Sequence, residues 1–348
     1  MNVEDMNVKK IWIYFMMMII VLSFVACKKN KQDTEHGHEH SHDAVVQLKI
    51  GLSGHEDEPH YIAAQQFATE VETKTHGEIE VKIFGSGQLG TDRELLVSLE
   101  QNKGEVDMVI SNLSNFTVYE PKINISQLPF LFADYDQARI FMQGEIQAEA
   151  ERHLTNHNMR VLTHYADGFH SLVSTDRKIN RANDLQGAMV ATSDETMSAV
   201  AMKAMGAMTK EVEDVGLTEA LRQGRYTGYE GLLSEIYHRH IYQPQYYLAV
   251  TNHCYSASGF VISDSVWNGL SKEYQEIIAT AAISSSNKSY ELAKQQDEAV
   301  LRKMESAGVR IYSPDLKTFW EKSEPVVQSY SSVYGDLVGK TIAWKNGQ

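Results

Sequence analysis

The hydrophobic pattern of this chain changes character twice before it settles. Uncharged residues rich in Met, Ile and Val run from Ile11 to Ala26, and a polar stretch without apolar periodicity follows to Asp43. From Val46 onward apolar positions recur with strand and helix periods. Gln47-Leu48-Lys49-Ile50-Gly51-Leu52 alternates as a half-buried strand does. A helix is expected from about Pro59, with Ile62, Ala63, Phe67, Ala68 and Val71 on one face and Gly77 ending it. Alternation returns over 78–83. Thr91-Asp92-Arg93-Glu94 has the spacing of a capping box, opening a helix over 92–102, and 106–110 reads as a short buried strand. Further strands fit 160–164, 172–174 and 188–192, and helices fit 196–205 and 217–223. Ser271 to Ala307 reads as one very long helix or two in line. Strands alternating with helices predict a mostly parallel sheet covered on both faces. Six prolines and no Pro- or Gly-rich linker predict two α/β lobes between which the chain crosses more than once.

The apolar run at the start spans 16 residues, short of the roughly 20 a membrane span needs, and it is preceded by Lys9 and Lys10. It ends in Ser23-Phe24-Val25-Ala26-Cys27, which resembles a bacterial lipobox, with Phe24 in the usual place of Leu. Residues 1–27 are therefore expected to be a lipoprotein signal peptide with Cys27 as the lipidation site, and 28–44 a flexible tether. Within the tether, Glu35-His36-Gly37-His38-Glu39-His40-Ser41-His42-Asp43 interleaves imidazoles with acids. Flexible nitrogen ligands of this kind can wrap Zn²⁺ or Ni²⁺ through His36, His38, His40 and His42. The same tract reads equally as a solvated spacer.

Composition narrows the classes. Of 348 residues, 43% are hydrophobic and 22% charged, which excludes wholesale disorder, collagen and coiled coil. With 32 Lys and Arg against 46 Asp and Glu, the net charge of −14 argues against sequence-independent nucleic-acid binding, which needs a basic face. Two cysteines cannot build a disulfide framework, and Cys254 reads as a small buried residue. No Gly-x-Ser-x-Gly elbow, phosphate loop, Cys-x-x-Cys pair or His-Glu-x-x-His occurs, so no enzyme motif presents itself. Gly85-Ser86-Gly87-Gln88-Leu89-Gly90 has the form of a dinucleotide fingerprint, but it follows the second strand and the next helix has its own Thr91 cap.

That last stretch begins an ordered set of pieces: Gly87-Gln88-Leu89-Gly90 with Glu94-Leu95-Leu96, Gly104-Glu105-Val106-Asp107-Met108, Leu128-Pro129-Phe130-Leu131-Phe132, Asp167-Gly168-Phe169, Asp184-Leu185-Gln186-Gly187, Glu219-Ala220-Leu221, and Thr251-Asn252-His253. Their order and spacing over about 45–310 resemble the solute-binding (DctP-type) subunit of tripartite ATP-independent periplasmic (TRAP) transporters. The resemblance implies a two-lobed, periplasmic-binding-protein-like α/β fold of type II-like form, with crossover hinge strands and a long helix spanning both lobes. Lobe I would comprise 45–166 plus 256–295, and lobe II 167–255 plus 296–348. It implies a non-enzymatic receptor outside the cytoplasm, needing no cofactor, that captures a small organic solute in the cleft and delivers it to membrane permease subunits.

By position in the family pattern, Ser53, His55, Asn112, His170, Thr192, Asp214 and Glu230 are the expected ligand-binding residues. The family's carboxylate-binding arginines, however, are replaced by Ala191 and His170, and its asparagine after the Gly-Gln-Glu segment by Gly231. Arginine's planar fork suits a carboxylate, so its loss predicts a neutral polyhydroxylated, amine-bearing or metal-associated solute, unless an arginine such as Arg222 or Arg225 reaches the cleft. The acids and imidazoles near the cleft keep two alternatives open: a metal-ion or metal-chelate receptor, and a metal-dependent hydrolase. The tyrosines at 226, 229, 237, 242, 246 and 247 could stack on a ligand or sugar ring, and packing in the core or on the lobe surface is the expectation preferred.

Overall fold

The computed structural model describes residues 46–192, 197–212 and 216–348. The expected signal peptide with Cys27, the tether with its four histidines, and Asp214 lie outside the described residues. In chain order the elements are β1 (Val46–Leu52), α1 (Pro59–Lys74), β2 (Ile79–Phe84), α2 (Asp92–Glu100), β3 (Met108–Asn112), α3 (Tyr135–Met142), α4 (Glu145–Glu151) and β4 (Met159–Ser174). There follow β5 (Met189–Thr192), α5 (Met197–Ala204), β6 (Met208–Glu211), α6 (Leu217–Arg222), β7 (Gly228–Leu232), α7 (Leu233–His238), β8 (Tyr247–Ala249), β9 (Tyr255–Ser263) and α8 (Asp264–Gly269). The chain closes with α9 (Lys272–Ser306), β10 (Arg310–Tyr312), α10 (Leu316–Ser329), α11 (Ser331–Tyr334) and α12 (Leu337–Asn346). Among the described residues, no helix is long and apolar enough to cross a membrane.

Local signals act as expected at several of these boundaries. Pro59 opens α1, where a missing N–H costs nothing. Tyr61, Ala63, Phe67 and Val71 of α1 are buried, while Ile62 is only half-buried. Thr91 and Glu94 form the capping box of α2, the Glu94 carboxylate accepting from the Thr91 N–H at 2.8 Å.

The strands make one ten-stranded sheet, in the order β2-β1-β3-β9-β4-β7-β5-β6, with β8 on β4 and β10 on β8. Its two halves face the two lobes. The first half packs Leu48, Ile50, Phe67, Ile110 and Phe260 into one core, and the second packs Val173, Leu217, Tyr229, Ile236 and Leu248 into another. The expectation of a mostly parallel sheet needs correction. β1 is parallel to β2 and β3, and β5 to β6 and β7, but β9 runs antiparallel to β3 and β4, and β4 antiparallel to β7 and β8. The strands that carry the chain across between lobes run against those that build each lobe.

The segments expected as separate strands at 160–164 and 172–174 are one strand, β4, that continues from one half of the sheet into the other. Its pairing with β9 slips between Ala166 and Gly168. Gly168 has φ +134°, and a Cβ there would lie 3.1 Å from the Tyr135 hydroxyl, so the bend requires glycine. α9 is a single helix, and it grips β4 just before that bend. The Ser285 hydroxyl accepts from the Tyr165 hydroxyl at 2.8 Å, Ser289 accepts from the Ala166 N–H at 2.9 Å, and Ser286 donates to the His164 carbonyl at 2.6 Å. Small hydroxyl side chains let helix and strand approach while satisfying buried polar groups.

The segment 296–348, which the resemblance assigns to the second lobe, packs α10 on α5 and its last helices on 121–127 and α4. Trp344 of α12 lies edge-on to Phe141 at 5.0 Å.

Candidate functional site

Parallel strands end where helices begin, so their carboxyl ends and the following helix N-termini open onto a common crevice. Here the ends of β1 and β3, the starts of α1 and α2, the bend in β4, and α7 of the second lobe enclose a chamber of about 640 Å³. A smaller chamber of about 260 Å³ adjoins it, sharing Asn112, Leu232 and Glu235 and reaching Gln127, His170, Ser198 and Tyr255.

Two buried carboxylates stand at the floor. Asp167, at the bend of β4, accepts from Ser258 and His60 on one oxygen, at 2.8 and 3.1 Å. On the other it accepts from Asn112 and Ser256, at 2.7 and 2.9 Å. Burial opposes both charges of the His60–Asp167 pair. Their mutual attraction, with Ser258 and Ser256, outweighs it, holding the His60 pKa above and the Asp167 pKa below the usual values. His60 Nε2 also lies 3.2 Å from the Ala166 carbonyl.

Glu230 of β7 meets His170 Nδ1 at 2.5 Å and lies 3.4 Å from His253 Nε2. Burial alone would raise its pKa, but the two imidazoles hold it well below the carboxylate range. For His253 burial dominates and lowers the pKa, against the pull of Glu230. Its Nδ1 bonds the Thr251 hydroxyl at 2.8 Å.

A permanent cation completes the chamber. Arg239, directly after α7, donates from Nη1 to the Tyr229 hydroxyl at 2.7 Å, and its guanidinium lies 6.0 Å from the centre of that ring. Tyr229 in turn donates to Glu235 at 3.4 Å. Burial lowers the Arg239 pKa.

Of the residues expected at the site, Ser53, His55 and Asn112 line the larger chamber, and Asn112 and His170 the smaller. His55 bonds the Ser86 hydroxyl at 2.9 Å. Glu230 lies behind His170, fully buried, and acts through it. Thr192 pairs with Glu230 between β5 and β7 but is buried and lines neither chamber. Arg222 is on the surface, paired with Glu219 at 3.0 Å, and neither it nor Arg225 lines the chambers.

Reasoning from sequence missed Arg239, Asp92, Ser256, Ser258 and the role of Asp167. Asp167 was visible only as part of Asp167-Gly168-Phe169, and nothing local marks Arg239. The replacement of the family's asparagine has a local cause: a Cβ at Gly231 would lie 2.7 Å from the Tyr229 ring. Of the tyrosines between 226 and 247, Tyr229 and Tyr246 are buried, Tyr237 stacks on Tyr242 at 5.8 Å, and none lines a chamber. Cys254 is buried at the edge of the smaller chamber, its pKa pushed well up by burial. Among the described residues, no three His, Cys, Asp or Glu side chains are placed to hold a metal ion.

Residues 50–332 match the family model described as bacterial extracellular solute-binding protein, family 7. The chain belongs to that family. This solute-binding protein is 24% identical over 277 residues to the 2,3-diketo-L-gulonate-binding periplasmic protein of Escherichia coli (strain K12), covering 79% of its own length and 84% of the relative's. It is 25% identical over 302 residues to the sialic acid-binding periplasmic protein of Vibrio cholerae, covering 86% and 93%. Among solved structures, it resembles a TRAP periplasmic solute-binding protein from Ochrobactrum anthropi with a TM-score of 0.81 and 23% identity, covering 88% and 96%. A second, from Chromohalobacter salexigens with bound D-glucuronate, matches with a TM-score of 0.74 and 22% identity, covering 86% and 100%. The chain is thus a solute receptor of the TRAP type, with the two-lobed fold that the resemblance implied.

Proposed function

We propose that this receptor captures a polyhydroxylated organic acid in the cleft between its lobes and delivers it, unaltered, to a TRAP membrane permease. The observation that carries this reading is the lining of the two joined chambers: hydroxyls and carboxamides from Asn112, Ser114, Asn115, Gln127 and Ser256 on one side, and Arg239 on the other. Neutral donors and acceptors suit a polyol, and a guanidinium suits a carboxylate. Relatives named for 2,3-diketo-L-gulonate and sialic acid support the same class. Export and anchoring through a lipid on Cys27, with 28–44 as tether, complete the reading and fit a receptor that must stay near its permease.

A second reading, a neutral or amine-bearing polyol, is favoured by His170, whose pairing with Glu230 cancels charge where the family's arginine stands. Mass spectrometry of whatever co-purifies with the exported protein, followed by calorimetric titration, tests both. A sugar acid bound at micromolar affinity or tighter is the expected result. A neutral polyol or amine would install the second reading, and turnover of the solute would overturn the receptor itself. For the anchor, Cys27→Ser should release the protein from membranes.

A further inference from the structure

Side chains from three parts of the fold meet at the bend of β4. A Cβ placed on Gly168 would lie 3.1 Å from the Tyr135 hydroxyl, 3.7 Å from Leu232 Cδ2 and 3.8 Å from Asp297 Oδ2. Tyr135 opens α3 in the first lobe, Leu232 ends β7 in the second, and Asp297 lies on α9. That helix packs on α1 and α3 of one lobe and on α7 of the other. Tyr135 donates to Asp297 at 2.6 Å, and its ring lies edge-on to Phe169, the residue after Gly168, at 5.1 Å. Leu232 and Gln296, the neighbour of Asp297, line the larger chamber, so this junction adjoins the chamber floor. Burial and the Tyr135 bond are what act on the Asp297 carboxyl, burial the more strongly, and its pKa is pushed up to about 7. The titratable and charged groups around the pair are Asp167 of β4 with His60 of α1, Tyr290 of α9 with Arg139 of α3 beyond it, and Tyr255 of β9. On the chamber side stand Glu235 and His238 of α7, with Arg239 just after it.

We propose that Tyr135 and Asp297 form a proton-operated latch on the angle between the lobes. With the carboxyl neutral, Tyr135, Gly168, Leu232 and Asp297 stay packed together and the lobes keep the angle of this structure. An ionised Asp297 has one neutral donor and no cation to offset its burial, so its charge favours any arrangement that admits water. More water reaches Oδ2 where Tyr135, Gly168 and Leu232 part, and parting them changes the angle at the bend. Deprotonation therefore loosens the junction and lets the lobes swing wider. A solute filling the chamber against Leu232 and Gln296 favours the packed junction, so capture takes up a proton and weakens as pH rises through the pKa of Asp297.

The experiment reads the separation of the lobes in the solute-free exported protein by pulsed electron paramagnetic resonance. Spin labels are placed through Lys103→Cys in the first lobe and Lys210→Cys in the second, both exposed positions, while Cys254 is buried and stays unlabelled. The separation should lengthen between pH 6 and 8 with a midpoint near 7. In Asp297→Asn it should hold its pH 6 value throughout. Tyr135→Phe removes a bond that favours the charged carboxyl, so its midpoint should move up by about one pH unit. Circular dichroism at both pH values checks that each variant is folded, and the midpoint in Tyr135→Phe carries the test if Asp297→Asn does not fold. A separation that ignores pH, or that changes equally in Asp297→Asn, overturns the latch, and so does an unmoved midpoint in Tyr135→Phe. No solute enters the measurement, so its failure leaves the receptor reading standing, and failure of that reading leaves the latch.

Discussion

Asp167 and Glu230 are both buried carboxylates at the base of the cleft, yet their charges are held in different ways. Asp167, in β4, is met by four side chains from three other elements: His60 of α1, Asn112 of β3, and Ser256 and Ser258 of β9. Three of the four are neutral and do not titrate. Glu230 depends on two imidazoles, His170 of β4 and His253 just before β9. The first cluster fastens the sheet of one lobe to the bend, and three of its four donors are independent of pH. The second joins β7 to β4 and to the segment before β9, and both of its partners are imidazoles. Asp167, which lines the larger chamber, is thus served mostly by neutral donors, and Glu230, buried behind His170, by two imidazoles.

The largest effect is expected from Asp167→Asn. An amide presents one acceptor oxygen where four donors converge on two, so at least two donors would face an NH₂ group. A loss of about 3–5 kcal/mol in urea unfolding is expected. A change under about 1 kcal/mol would remove the fastening role. Glu230→Gln should cost less, about 1–3 kcal/mol, because its carbonyl still accepts from His170. A cost above that of Asp167→Asn would reverse the comparison.

The two clusters should also answer pH in opposite directions. The His60 pKa is raised by folding, so its stabilisation is full below about 6.5 and fades as pH climbs through the raised value. His60→Gln should therefore cost more at pH 6 than at pH 8. The His253 pKa is lowered, so keeping it neutral costs stability as pH falls below about 6.5. His253→Gln should compare better with wild type at pH 5 than at pH 7. Parallel stability curves for the two variants across pH 5–8 would sink the contrast.

The smallest effect concerns Asp297 on α9, which accepts from Tyr135 at 2.6 Å beside the bend and has its pKa pushed up by burial to about 7. Between about pH 4 and 7 the unfolded chain gives up this proton while the folded one keeps it, so wild type loses stability across that window. Asp297→Asn should match wild type near pH 4 and exceed it at pH 8 by about 1 kcal/mol, the carboxyl being only partly enclosed. Thermal unfolding at the two pH values decides it.

Whatever rests on neighbours in the chain was legible beforehand. The alternation of β1 and β2, the proline opening α1, the Thr91–Glu94 cap and the length of α9 depend on residues a few positions apart, and local hydrogen bonding and period reveal them. The ordered family pieces carried the two-lobed fold and the receptor role. β4 was read as two strands because the Ala166–Gly168 slip interrupts its period, and the parallel sheet was overestimated because strand direction depends on partners far along the chain. The site was legible only in part. Asn112 and His170 were placed in the cleft, but Arg239 ends a short helix with no motif around it, and Asp167 gathers donors 55, 89 and 91 residues away. The composition of each element was set by the sequence itself, since side-chain period and caps are local. Which carboxylate is neutralised, and which cation faces the chamber, was decided only by tertiary structure, because charge and desolvation depend on distances in space that no spacing along the chain reports.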